Sequence, residues 1–333
     1  MPNSFISKKV LLVGFVILLA VVGLAYHLTS SVNTKSPFIL PESGPVAKGK
    51  ILTSALLSPN GTAGERDILL ISRDGNDVTN LTINKPKSDL VSGGLNPTFS
   101  PDYTRIAYVA TPTGSNNSQI FIMDTNGKER QQVTYSTGSK YNPSWSPDGS
   151  ALLYSRSTGE NNNSELKTSI WKLDLKTGKE TDLGVVGTIP IWLSSGAEFS
   201  FQLINGQSHQ LLIYKNGGTT KINLLLDQKP VTNFNYPVFS HDRSKVAFIN
   251  FEDGSQLYIA DATGSNAHKL TNSVSSIYSM PSWSADNSYI VVSEEDRTVG
   301  KSFITGVDLT GQIVFRLGFP NLSGFNMPRI ASQ

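Results

Sequence analysis

The chain has 333 residues and no cysteine, with 28 Lys+Arg against 26 Asp+Glu and a formal net charge of +2. Without thiols it has no disulfide framework, thiolate zinc site, iron–sulfur cluster, cysteine nucleophile or lipobox. Its near-neutral balance also argues against a nucleic-acid partner, which normally meets a strongly basic face. Abundant Gly and Pro, with many Ser, Thr and Asn, suit short strands joined by turns rather than long helices.

The first nine residues, MPNSFISKK, read as a basic cytoplasmic tail. Val10–Tyr26 follows without a single charge. Its length is at the lower limit for a spanning helix, and Lys8 and Lys9 before it orient the rest of the chain outward under the positive-inside bias. Two readings are open. Gly23 and Ala25 offer the small residues of a signal-peptidase site with cleavage after Ala25. The apolar run slightly exceeds a usual signal core, which favours an uncleaved signal anchor. Residues 27–49, punctuated by Pro37, Pro41 and Pro45, read as a linker holding a domain off the membrane.

From residue 50 onward a repeat organises the chain. NPTFSPDYTRIAYVA, NPSWSPDGSALLYSR, IPIWLSSGAEFSFQL, YPVFSHDRSKVAFIN and MPSWSADNSYIVVSE share one pattern, with prolines at 97, 143, 190, 237 and 281. A sixth copy opens at Pro328 and stops after its first strand. The later strands of that copy stand at the other end, in KILTSALLS from Lys50 and RDILLIS from Arg66. A chain that begins with strands b, c and d and ends with strand a closes a ring, which removes open sheet edges. The expected fold is therefore all-β: a six-bladed β-propeller over 50–333 with four-stranded blades and one split blade, preceded by one N-terminal transmembrane helix. The split blade is expected to pair Met327–Ser332 with Lys50–Ser58. A ring closed on itself is expected to be monomeric.

Within each repeat, strand a puts Phe99, Trp145, Trp192, Phe239, Trp283 and Ile330 in one column, and strand b puts Tyr108, Tyr154, Phe201, Phe248 and Val292 in another. One bulky residue per blade at fixed phase suits packing between neighbouring sheets. Asp102, Asp148, Asp242 and Asp286 fall in the a–b turns, where a short carboxylate accepts backbone N–H bonds. The c–d turns carry Asp124, Asp174, Asp261 and Asp308 with Gly127, Gly178, Gly264 and Gly311, which supply positive φ. Strand d ends in Leu-Thr, as at Leu81-Thr82, Val133-Thr134 and Leu270-Thr271.

The order P-x-W-S-P-D-G, an apolar strand, I-x-x-x-D-x-x-G and then L-T resembles the TolB-type, WD-like β-propeller repeat over residues 50–333. Pro143 to Gly149 is the best copy; the third is poorest, with Leu193, Ser195 and Gly196 at the Ser, Asp and turn positions. The resemblance implies a periplasmic interaction module, and related propellers gate prolyl-oligopeptidase-type peptidases. TolB itself carries an N-terminal α/β domain and is released into the periplasm. Here only a linker is expected ahead of the propeller, behind a membrane anchor.

Motifs for chemistry are sparse. There is no G-x-S-x-G elbow and no H-E-x-x-H, and no cofactor is expected. His27 falls in the linker and His209 in a hairpin. His241 and His268 share a rim with Asp242 and Asp261, as a metal or pH-sensitive pair would. Asn60-Gly61-Thr62 and Asn80-Leu81-Thr82 match a glycosylation acceptor and equally match turn chemistry. Glu252-Asp253 and Glu294-Glu295-Asp296 are acidic hairpin loops in different blades, which leaves a paired-carboxylate glycosidase site open.

Topology puts the short a–b and c–d turns on one face. The long b–c loops and d–a connectors, such as 57–65, 83–96, 157–169, 224–236 and 272–280, share the other, where binding usually resides. The connectors end at the channel mouth with Asn96, Tyr141, Asn142, Phe234, Asn235, Tyr236, Tyr278, Met280, Phe325, Asn326 and Met327. This nearly uncharged, amphipathic ring suits a peptide, protein or sugar, and the same residues also suit plugging the channel and capping strands. The leading expectation is a non-catalytic envelope module binding a protein or cell-wall partner through the long-loop face. The alternative is a carbohydrate- or peptide-processing enzyme with its site in the channel mouth.

Overall fold

The computed structural model describes residues 49–57, 66–83, 92–157, 168–193 and 196–331. The Val10–Tyr26 segment, Asn60-Gly61-Thr62, most of the linker and parts of three long loops lie outside the described residues. Among the described residues no helix is long and apolar enough to cross a membrane.

Six four-stranded antiparallel sheets form the blades. Blade 1 takes Leu322–Ile330 as its innermost strand, then Lys50–Leu57, Arg66–Ser72 and Val78–Asn80. Blade 2 is Ser92–Phe99, Arg105–Thr111, Gln119–Asp124 and Gln131–Gln132; blade 3 is Lys140–Trp145, Ala151–Ser157, Thr168–Asp174 and Glu180–Val186. Blade 4 is Thr188–Trp192, Glu198–Asn205, Ser208–Lys215 and Gly218–Ile222. Blade 5 is Phe234–Phe239, Lys245–Asn250, Gln256–Asp261 and His268–Lys269; blade 6 is Ser276–Trp283, Tyr289–Asp296, Lys301–Asp308 and Ile313–Leu317. The connector between blades 4 and 5 is not plain loop. It folds into a small hairpin, Leu225–Leu226 against Lys229–Pro230, turned by Asp227 and Gln228 at positive φ.

The split blade is closed by the last strand, as the repeat phase requires. Ile51 pairs with Ile330, Leu52 with Arg329, Ser54 with Asn326 and Leu57 with Leu322. The closing strand starts five residues earlier than the Pro motif implies, because Leu322–Asn326 also pairs before the proline.

The core sits between blades. One cluster joins Leu52, Ile68 and Leu70 of blade 1 to Phe99, Tyr108 and Phe121 of blade 2. Another joins Ile51, Leu69 and Ile71 to Tyr289, Val291 and Ile304 of blade 6. The strand-b column is fully enclosed, with Tyr108, Tyr154 and Phe248 at 0% exposure. Two tryptophans of the strand-a column also lock neighbouring blades with hydrogen bonds. Trp145 Nε1 donates to Thr98 O at 3.3 Å and Trp283 Nε1 to Val238 O at 3.0 Å.

The Leu-Thr ending has a clear cause. Leu81 N still pairs with Ile68 O, but the next ladder bond goes from Ile68 N to Thr82 Oγ1 at 3.0 Å, and that hydroxyl donates to Asp67 Oδ1 at 2.6 Å. Thr134 does the same between Ile120 N and Gln119 Oε1, and Thr271 between Leu257 N and Gln256 Oε1. A threonine hydroxyl thus extends a very short outer strand and satisfies buried groups on two sides.

The a–b turns repeat one network. Ser146 Oγ donates to Asp148 Oδ1 at 2.6 Å, Ser150 N donates to the same oxygen, and Ala151 N donates to Ser146 Oγ. Equivalent bonds recur at Asp102, Asp242 and Asp286. In the c–d turns Gly127, Gly264 and Gly311 have φ of 76°, 90° and 88° and sit against the backbone of the preceding blade.

Candidate functional site: the channel and its two mouths

The residue before each repeat proline adopts positive φ. Asn96, Asn142, Ile189, Tyr236, Met280 and Met327 have φ between 49° and 56°. The register of each innermost strand shifts there, between Leu95 and Thr98, Tyr141 and Ser144, Thr188 and Ile191, Asn235 and Val238, and Ser279 and Ser282, with the matching break in blade 1. These are bulges, one per blade, and they bend each strand around the channel. Left-handed backbone is tolerable for Asn and costly for a β-branched residue such as Ile189.

Side chains link this ring from blade to blade. Asn96 Nδ2 donates to Asn142 Oδ1 at 2.7 Å, and Asn142 Nδ2 reaches Thr188 Oγ1 at 3.5 Å. Across the other arc Met327 N contacts Met280 Sδ at 3.1 Å. The ring is polar at blades 2 and 3 and apolar from blade 4 round to blade 1.

Below the ring lies a cavity of about 490 Å³, lined by the innermost strands of all six blades. Asn96, Asn142, Ile189 and Met327 bound it toward the long-loop face; Tyr103, Pro147, His241 and Arg243 of the a–b turns flank its other mouth. Its wall includes the middle residue of each repeat triplet that opens with proline, Thr98, Ser144, Ile191, Val238, Ser282 and Arg329, beside triplet residues such as Phe99, Trp145, Trp192 and Trp283. Arg329 is the one charge in that column and is not among the rim residues expected from the sequence. The signal was there: five neutral residues and one arginine at equivalent positions of the repeat. At the turn mouth Arg243 is already engaged, donating to both carboxylate oxygens of Glu198 at 3.2 Å.

The expected rim residues divide in two. Phe234, Tyr278 and Phe325 are 2%, 5% and 5% exposed and belong to inter-blade cores. Met327 is buried in the ring. Asn96, Tyr141, Asn142, Asn235, Tyr236, Met280 and Asn326 are half-buried on the inner rim. Tyr236 packs against the blade 5–6 core, and burial raises its phenol pKa.

His268 Nδ1 lies 3.0 Å from Asn266 O, and the backbone N–H of His241 donates to Asn287 Oδ1. Among the described residues no group of three His, Asp or Glu is disposed to hold a metal ion. Asn80 acts as a turn residue, accepting from Thr82 N and donating to Asp67. His209 stands at the start of a strand rather than in the loop, with Nδ1 3.0 Å from Gln202 Nε2.

The two faces differ in apolar exposure. Ile83, Tyr135, Val274 and Val299 are large apolar side chains exposed on b–c loops or d–a connectors, Val274 completely so, and Ile204 is exposed at the end of strand b next to the b–c turn of blade 4. The remaining exposed ones among the described residues, Val78, Val186, Ile313 and Val314, lie on outer strands. None lies in an a–b or c–d turn.

A crystal structure of TolB from Acinetobacter baumannii superposes with a TM-score of 0.68 at 21% identity, covering 86% of this chain and 67% of that one. The fold is that of a TolB-like six-bladed β-propeller. A TolB-type structure from Agrobacterium tumefaciens gives 0.59 at 15% identity over 84% of this chain and 93% of its own. Hydrazine synthase of Kuenenia stuttgartiensis gives 0.67 at 14% identity over 86% of this chain and 46% of its own. The family model of the prolyl oligopeptidase N-terminal β-propeller domain matches residues 93–201. Comparison with curated protein sequences gives no match. At these identities the likeness is one of fold, and blades 2 to 4 carry the sequence signal.

Proposed function

We propose that this TolB-like propeller is a non-catalytic cell-envelope interaction module that docks a protein or cell-wall partner on its long-loop face. The carrying observation is the asymmetry of exposed apolar side chains, with Tyr135, Ile204, Val274 and Val299 on that face and none in the opposite turns. Loops carried on a rigid scaffold are where binding usually resides, and exposed apolar side chains on one face and not the other favour that face. The half-buried rim of Tyr141, Asn142, Asn235, Tyr236, Met280 and Asn326 is proposed as the centre of that surface. Val10–Tyr26 is proposed as the anchor holding the propeller on the outer side of the membrane.

Among the described lining residues the channel contributes one histidine and no carboxylate. A hydrolase working by paired carboxylates needs two, so the non-catalytic reading is favoured over a processing enzyme. The test is capture from envelope extract by the full chain, comparing wild type with Tyr135→Glu/Val274→Glu. Both positions are exposed, so stability should hold while capture falls at least tenfold. Undiminished capture by that variant would move the docking surface elsewhere.

A further inference from the structure

We propose that the channel holds a second site, distinct from the long-loop face, which binds a monoanionic carboxylate against Arg329. Five of the six equivalent lining positions are neutral, and the sixth projects a guanidinium into a cavity of about 490 Å³. That guanidinium has one hydrogen-bond partner among the described residues, Pro281 O at 3.3 Å. Among the described residues it makes no ion pair, and no Asp or Glu lines the cavity. Two other arginines are matched by carboxylates, Arg243 by Glu198 and Arg316 by Glu294 and Asp296, while Arg130, outside the channel, is held by the Gly127 and Leu81 carbonyl oxygens.

Arg329 is half-buried, and a partly desolvated charge without a counter-charge is costly and is found where something else supplies it. Burial alone lowers the Arg329 pKa, to about 10, so the group stays protonated at neutral pH and its environment offers no compensating carboxylate. One unmatched positive charge calls for one negative charge. The planar guanidinium fork fits a carboxylate in bidentate fashion, whereas a phosphate dianion would need a second free cation. Neutral hydroxyls complete the wall. Ser144 Oγ accepts from Trp192 N at 3.1 Å, which leaves its own proton to donate, and Thr98 and Ser282 occupy equivalent positions. The cavity volume suits a small ligand or the end of an extended chain.

The test uses full-length protein labelled with ¹⁵N-arginine. Acetate, its neutral isostere acetamide, and inorganic phosphate are titrated against the Arg329 Nε–H resonance, identified by its loss in Arg329→Gln. Acetate should shift it saturably, with acetamide and phosphate each at least tenfold weaker. Arg329→Gln should melt at or above the wild-type temperature, because it removes an uncompensated, half-buried charge. Acetamide matching acetate, phosphate binding more tightly, or a non-saturating shift would overturn the site. So would a clear loss of stability in Arg329→Gln, which would make the arginine structural.

Discussion

Phe325 tests ring closure through packing alone. It is 5% exposed on the closing strand and sits in a cluster with Ile51, Leu69 and Ile71 of its own blade and Tyr289, Val291 and Ile304 of blade 6. Its ring also meets Phe319 edge-on at 6.0 Å. Phe325→Ala removes the ring's burial and leaves a cavity between the first and last blades, a loss of about 3–5 kcal/mol. Against a total stability of about 5–15 kcal/mol this is a large fraction. A domain of this size shifts by about 2 °C per kcal/mol, so the melting midpoint should fall by about 6–10 °C. Scanning calorimetry or circular dichroism melting measures it, with Val274→Ala as an exposed control expected within about 0.5 kcal/mol. A fall below about 2 °C would mean that the closing strand is not packed as described.

Thr134→Val keeps shape but leaves Ile120 N and Gln119 Oε1 unpaired in a buried site, and should cost about 2–3 kcal/mol in chemical denaturation. Gly264→Ala meets both a φ of 90° and the Asn223 carbonyl oxygen of the preceding blade. It should reduce soluble yield and melting temperature far more than Gly254→Ala, where nothing lies within contact distance. Ile189→Asn places at the strained bulge the residue that blades 2 and 3 already use, and should hold or raise the melting temperature. Asp148 and Asp286 have pKa values lowered to about 2 by hydroxyl and backbone N–H donors. A depressed carboxylate stabilises fully above its unfolded value near ~3.9 and loses that contribution as pH falls through the folded value. Acid melting curves should therefore be flat from neutrality to about pH 4 and decline toward pH 2, with Asp148→Asn flattening part of the decline.

Blade number and closure were legible because each copy spends the same residues on the same tasks. Proline, aromatic and turn aspartate recur with one phase, and the truncated copy at Pro328 matches the headless copy at Lys50. The Leu-Thr ending was visible as a pattern, but its role needed geometry, since the hydroxyl replaces a backbone partner that only the sheet reveals. The bulges were hidden. A residue before proline is biased toward extended backbone, and the six left-handed residues arise from closing a ring, a tertiary demand with no local signature. That same bulge reverses the alternation of sides at each proline. Phe234, Tyr278 and Phe325 stand before it and turn into the inter-blade core, although composition grouped them with the rim. Arg329 has no local signature of its own, and the channel-lining column emerges only when the middle residues of all six triplets are aligned.

The claim that the long-loop face is the docking surface is tested most directly by photo-crosslinking in the intact envelope. A photoreactive amino acid is placed at Tyr135 or Val274 on that face and at Asp148 or Asp286 in the opposite turns, in separate full-length variants. The account predicts a discrete adduct from Tyr135 and Val274 and none from Asp148 and Asp286. Adducts arising only from the two aspartate positions would contradict it.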